Sequence, residues 1–193
     1  MSPVTHFLAG WLVANSANLN RRERAAVTLA GVIPDVDGLG LIAEIVTRNS
    51  SHPLNWWSDY HHVLGHNIGF CLLVTAMGFA MATRRWLTAV LVGLSFHLHL
   101  LGDLVGARGP DGHQWPIPYL QPFSGAWQWT WSGQWALNGW PNFVITIAAL
   151  SVTFYWAWKR GYSPLEMISS RVEQVFVTAL RKRFPIVSTQ QDV

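Results

Sequence analysis

The chain has 193 residues, half of them hydrophobic and 12% charged, against about 25% charged in a soluble globular domain. That composition excludes an ordinary water-soluble surface, and a scattered net charge of +3 excludes a nucleic-acid footprint. The lone cysteine, Cys71, sits in an apolar run, which excludes a disulfide framework and reads as a packing residue.

The first element is Pro3 to Ala17, with Ser2 as the capping hydroxyl and Pro at the first helical position. It holds His6 and has no basic stretch ahead of it, so it does not read as a cleavable signal. A second short apolar segment, Ala25 to Ile33, ends at Ile33-Pro34-Asp35-Val36-Asp37-Gly38. Pro34 calls for an extended approach and Gly38 permits a tight turn, so Asp35 and Asp37 are expected on a rigid turn at a helix end. Alone, such a pair reads as an Asx turn or cap.

Three longer apolar segments follow: Ile68 to Thr83, Trp86 to Gly102 and Trp140 to Trp158. Each approaches the roughly 20 residues that cross a bilayer as a helix. If all five segments alternate in direction, Arg21, Arg22, Arg24, Arg84, Arg85, Lys159, Arg160 and the basic residues of the tail share one side. The positive-inside rule makes that side cytoplasmic. The expected fold is an all-α, polytopic membrane helical bundle with about five apolar helical segments. The expected location is the plasma (inner) membrane. Residues 1–160 form the membrane-embedded domain; 161–193 form a cytoplasmic amphipathic helix and tail.

Between the last two long segments lies a Trp-rich loop holding Trp115, Trp127, Trp129, Trp131, Trp135 and Trp140. It reads as an interfacial anchor or as a wall for a lipid-like substrate. In the tail, Ser163-Pro164-Leu165-Glu166 fits a capping box. Leu165, Ile168, Val172, Val175, Phe176 and Leu180 then repeat at helical spacing. Such a helix either lies in the membrane interface or packs on the ends of the bundle. Residues after Pro185 read as a disordered end.

Ionisable groups in membrane segments are functional-site hypotheses by default, and here most gather at one end of the segments. His6 opens the first, Asp35 and Asp37 follow the second, His61, His62 and His66 open the third, and His99 and Asp103 close the fourth. On the alternating topology all of them lie toward the extracytoplasmic face. His99 and Asp103 are four apart and share a helical face, suited to chelating one ion. His97 points elsewhere and reads as a packed histidine. His62 and His66 are also four apart, whereas His61 and His66 differ by about 140° on a helix and could meet only if His61 precedes the helix start; spacing does not choose between His61 and His62. His52 and His113, in polar loops, are weaker candidates. Imidazoles and carboxylates without thiolates suit zinc, or a pair of hard-to-borderline divalent metals.

The motifs Thr5-His6, Pro34-Asp35-Val36-Asp37, His61-His62-Val63-Leu64-Gly65-His66-Asn67 and His99-Leu100-Leu101-Gly102-Asp103 resemble, in order and spacing, the YdjM-like membrane-bound metal-dependent hydrolases. Trp115-Pro116 and Pro122-Phe123-Ser124 extend the resemblance. Members of that family carry His-Arg at His61-His62 and Thr-His-Ser at Gly65-His66-Asn67, so the resemblance favours His61 and His66 as ligands and puts His62 in the arginine position. The family is similar in turn to zinc-dependent phospholipase C. The resemblance implies hydrolysis of a phosphoester, lipid-like substrate by a metal-activated water, among membrane lipids and with one to three zinc-type ions. His6, Asp35, His61, His66, His99 and Asp103 would bind metal; Asp37 would bridge or support them, and His62 would assist the leaving group. Two other readings, a haem-binding protein and a metal or proton transporter, remain. Haem would leave the three aspartates without a partner, and a transporter would spread ionisable groups through the membrane depth.

Overall fold

The structure, a computed structural model, describes residues 1–109 and 112–186. From residue 187 on, the end expected to be disordered lies outside the described residues. Among the described residues there are eight α-helices and no strands, only isolated bridges pairing Arg108 with Ala136 and Ile117 with Trp129.

Helix α1 (Pro3–Ala14) starts where its cap predicts, with the Ser2 hydroxyl accepting from the Thr5 amide. Helix α2 (Arg21–Ala30) opens on a reciprocal capping box between Asn20 and Glu23. The two helices cross closely because Gly10 has no side chain: a Cβ there would lie 2.6 Å from the Thr28 carbonyl oxygen. After α2 the chain does not extend before Pro34. It bends 53° and continues as a 3-10 helix, Ile33–Leu39, and then as α3 (Gly40–Thr47). Pro34 sits in the first turn of that helix, where its missing N–H costs nothing. α3 itself goes beyond the expected loop, and its side chains Leu41, Ile42, Ile45 and Val46 are exposed.

A short α4 (Trp56–Tyr60) leads through a non-helical turn to α5 (Ile68–Met81), capped by the Asn67 side chain. The long α6 (Arg85–Gly106) and α7 (Trp140–Arg160) complete the membrane part. α6 packs on α1, α2 and α5, while α7 packs on α1.

Two helices, α6 and α7, are long and apolar enough to cross a bilayer, or three if the bent pair of α2 with Ile33–Thr47 is one span. That is fewer than the five expected. The shortfall is one of length: the 12 residues of α1 and 14 of α5 reach only about 18 and 21 Å at 1.5 Å per residue. A hydrocarbon core is about 30 Å thick.

After Arg160 the capping box expected at Ser163 takes another form. Ser163 heads a single 3-10 turn, Pro164–Met167, and its hydroxyl and amide both donate to Glu173. Helix α8 (Ser170–Arg183) is capped by Ser169 instead. It turns Val177 and Glu173 inward and sets Phe176 against Phe154 of α7. Ile168, Val172 and Val175 are left exposed. One face thus packs on the bundle, as one of the two expectations has it, and an apolar face remains exposed.

Candidate metal centre

Three stretches bring four potential ligand atoms together. The 3-10 helix after α2 presents Asp35, the turn before α5 presents His66, and the last two turns of α6 present His99 and Asp103. One ligand atom from each lies within 4.8 Å of all the others. His99 Nε2 is 3.1 Å from both His66 Nε2 and Asp103 Oδ2. His66 Nε2 is 3.3 Å from Asp103 Oδ2. Asp35 Oδ1 lies 3.6 Å from His99 Nε2 and 4.0 Å from His66 Nε2. Bonds of about 2.0–2.1 Å to a tetrahedral ion would place its ligands about 3.4 Å apart. His66, His99 and Asp103 have the dimensions of such a shell, and Asp35 lies outside it, 4.0 Å from His66 Nε2.

The hydrogen bonds around the cluster set the imidazole tautomers. His99 Nδ1 donates to the Gly31 carbonyl at the end of α2, at 2.9 Å. His66 Nδ1 donates to Asp37 Oδ2, at 3.1 Å. With each ring neutral, Nε2 would turn a bare lone pair toward the other ring and toward two carboxylate oxygens, an arrangement of acceptors suited to a cation, either a proton or a metal ion. Asp103 Oδ2 and Asp35 Oδ2 are buried without a hydrogen-bond partner among the described residues.

His6, Asp37, His61 and His62 surround the four without joining them. His6 Nε2 meets the other oxygen of Asp103 at 3.0 Å, an oxygen that also pairs with the Met1 amino group, and its ring lies 3.8 Å from that of His99. Asp37 holds His61 Nδ1 at 3.0 Å, His66 Nδ1 and the Gly65 amide, so this carboxylate orients rather than faces the cluster. His62 Nε2 lies 3.9 Å from Asp103 Oδ2, and its Nδ1 is buried without a partner among the described residues. The spacing argument for these histidines assumed a helix. The stretch from His61 to Asn67 is not one, and His62 has a left-handed φ of 64°. Its ring nevertheless stacks 4.3 Å from that of His66.

In the turn at His66, burial pulls the imidazole pKa down. The negative carboxylates of Asp103 and Asp37 beside the ring outweigh it and hold the value at about 9. At neutral pH, a proton on His66 thus supplies the positive charge the acceptors require.

Sequence reasoning missed two neighbours, Trp57 and the Gly31 carbonyl, and had Trp115 as part of an anchor or wall. Trp57 stacks on His61 at 3.8 Å, and Trp115 meets the edges of His61 and His62 at 5.2 and 5.4 Å, so two indoles roof the imidazoles. The four-residue interval from Trp57 to His61 was a signal for the first. The Gly31 carbonyl, which orients His99, had none, because a backbone oxygen leaves no mark in composition. His97 lies apart, bonded to the Gly93 carbonyl and to the Tyr119 hydroxyl at 2.7 and 2.8 Å. His52 is exposed, and His113 touches the edge of Trp115.

A family model described as YdjM inner membrane protein matches residues 1–179, which takes in every residue of the cluster. The chain belongs to the YdjM family. No curated protein and no solved structure matches it. As a YdjM protein it is a member of an inner-membrane family, and its apolar helices fit that membership. In this YdjM chain, Asp35, His66, His99 and Asp103 form a group that could hold a metal ion.

Proposed function

We propose that the chain is a membrane-bound, metal-dependent hydrolase that cleaves a phosphoester of a lipid or lipid-linked molecule at the extracytoplasmic face. The observation that carries this reading is the convergence of two imidazoles and the Asp103 carboxylate at tetrahedral-edge distances, with the Asp35 carboxylate beside them. A zinc-type cation there would lower the pKa of a bound water to about 7 and polarise a phosphoryl oxygen.

The residues have distinct tasks in this proposal. Asp35, His66, His99 and Asp103 hold the ion. Asp37 and the Gly31 carbonyl fix the two imidazoles in the tautomer that binds. His6 shares Asp103 and would join a second ion if more than one is held, as would His61. Asp35, the most accessible of the four at 19% side-chain exposure, marks the side from which substrate arrives. His62, kept neutral by burial and by His66, offers one N–H to a leaving oxygen. Trp57 and Trp115 keep water from the imidazoles and offer an apolar surface to a lipid-like substrate.

Metal analysis of the purified protein and a phosphodiesterase screen, with a His99→Ala control, test the reading. One or more equivalents of zinc-type metal, with activity lost in His99→Ala, is the expected result. Full metal retention in a combined His99→Ala, Asp103→Ala variant would remove the cluster from metal binding. A metal-loaded protein inactive on every phosphoester would remove the hydrolase.

A further inference from the structure

A trough of about 670 Å3 runs along one flank of the bundle, between α2, α5 and α6. Ala26, Leu29, Leu73, Val74, Met77 and Val92 are among the apolar residues that line it. It is open sideways: Leu29, Leu73 and Met77 are 52, 54 and 55% exposed. Along α5 the trough extends from Phe70 to Ala82, about 18 Å at 1.5 Å per residue. One leaflet of a 30 Å hydrocarbon core is about 15 Å deep, so the trough has the reach of one acyl chain.

Its two ends differ. Toward Ile33 and Phe70 the wall remains apolar, whereas toward Ala82 it carries Arg22, Glu23 and Thr88. The Glu23 carboxylate is occupied, accepting from the backbone amides of Arg84 and Asn20 at 2.8 and 3.0 Å. Arg21 and Arg24 are engaged by Ser170 and Glu166, but Arg22 is exposed and pairs with no acid among the described residues. Thr88 is fully buried, and its hydroxyl has no hydrogen-bond partner among the described residues. An apolar slot with a free guanidinium at its rim and an unspent hydroxyl just inside matches the order of groups in a phospholipid: phosphate, ester, chain.

We propose that this trough binds one phospholipid from the leaflet on the basic side of the protein. Arg22 takes the phosphate, the Thr88 hydroxyl donates to an ester carbonyl, and one acyl chain lies along Leu73, Val74 and Met77. The site is separate from the metal cluster and does not depend on the hydrolase reading.

Titration of the whole detergent-purified protein with palmitoyl-oleoyl phosphatidylglycerol, read by native mass spectrometry and thermal unfolding, tests it. One lipid per chain should survive a detergent wash and raise the melting temperature. Arg22→Glu removes the phosphate partner, and Ala26→Trp fills the slot from a position outside the core. Each should lower lipid affinity about fivefold or more while leaving metal content unchanged. Thr88→Val should abolish any preference for ester-linked over ether-linked lipid. Equal lipid retention in wild type, Arg22→Glu and Ala26→Trp would overturn the proposal. So would equal stabilisation by an alkyl maltoside without phosphate, or a Leu73→Cys cross-link between two copies that excludes the lipid.

Discussion

Asp37 shows most plainly how a residue outside the cluster governs it. Its carboxylate holds two imidazoles and an amide, fixing the direction in which His66 presents its lone pair. Asp37→Asn keeps the shape but weakens that hold, and metal affinity should fall about 10- to 100-fold in a competition titration. The raised His66 pKa gives a second expectation. Below about 9 the proton is on His66 and must leave before an ion binds. Affinity should therefore rise with pH, roughly tenfold per unit, and level off near pH 9. Calorimetry in buffers of different ionisation enthalpy should show about one proton released per ion at neutral pH. At this scale much of the cluster was legible. His99 and Asp103 advertise themselves by a four-residue interval on a true helix, and Asp35 by its Pro-Asp context. His61 and His62 were not legible, because their geometry depends on a left-handed backbone at His62 that spacing rules do not contain.

At the scale of elements, the turn that carries His66 rests on Gly65. A Cβ there would stand 2.1 Å from the Pro34 carbonyl oxygen, so the turn and the 3-10 helix touch backbone to backbone. Gly65→Ala should force them apart, lower stability by about 1–3 kcal/mol in a thermal melt, and lose bound metal as Asp35 and His66 separate. Apolar runs were the readable feature here, and the existence of α1, α2, α5, α6, α7 and α8 follows from them. Starts were readable where a cap marks them, as at Asn67, which opens α5 at the expected Ile68; its end was not, since the chain breaks at Ala82. The apolar stretch from Leu39 to Val46 was present in the sequence but hidden behind Pro34 and Gly38, which signal a turn and here begin a helix.

Over the whole molecule, polarity is divided between two ends. Opposite the cluster, Arg24 forms a two-point pair with Glu166, Arg84 reaches Glu23 and Asn18, and Arg160 reaches Asn15. These bonds tie α1, α2, α6, α7 and the segment before α8 into one belt. Glu166→Gln should lower the melting temperature through loss of a charge-assisted pair, about 1.5–3 kcal/mol, without altering metal content. The positive-inside rule predicts that the belt is cytoplasmic. In a Cys71→Ala background, Ser170→Cys should react with an impermeant thiol reagent only after the membrane is opened, and Ser124→Cys before. The reverse pattern would invert the protein.

The 53° bend between α2 and the following 3-10 helix places Asp35 just past a kink, while the other three donors stand on the turn before α5 and the end of α6. A cation gripping all four would rivet that kink to the α6 scaffold. Its withdrawal should loosen Asp35 alone, because Asp37 still ties the 3-10 helix to His61, His66 and the Gly65 amide.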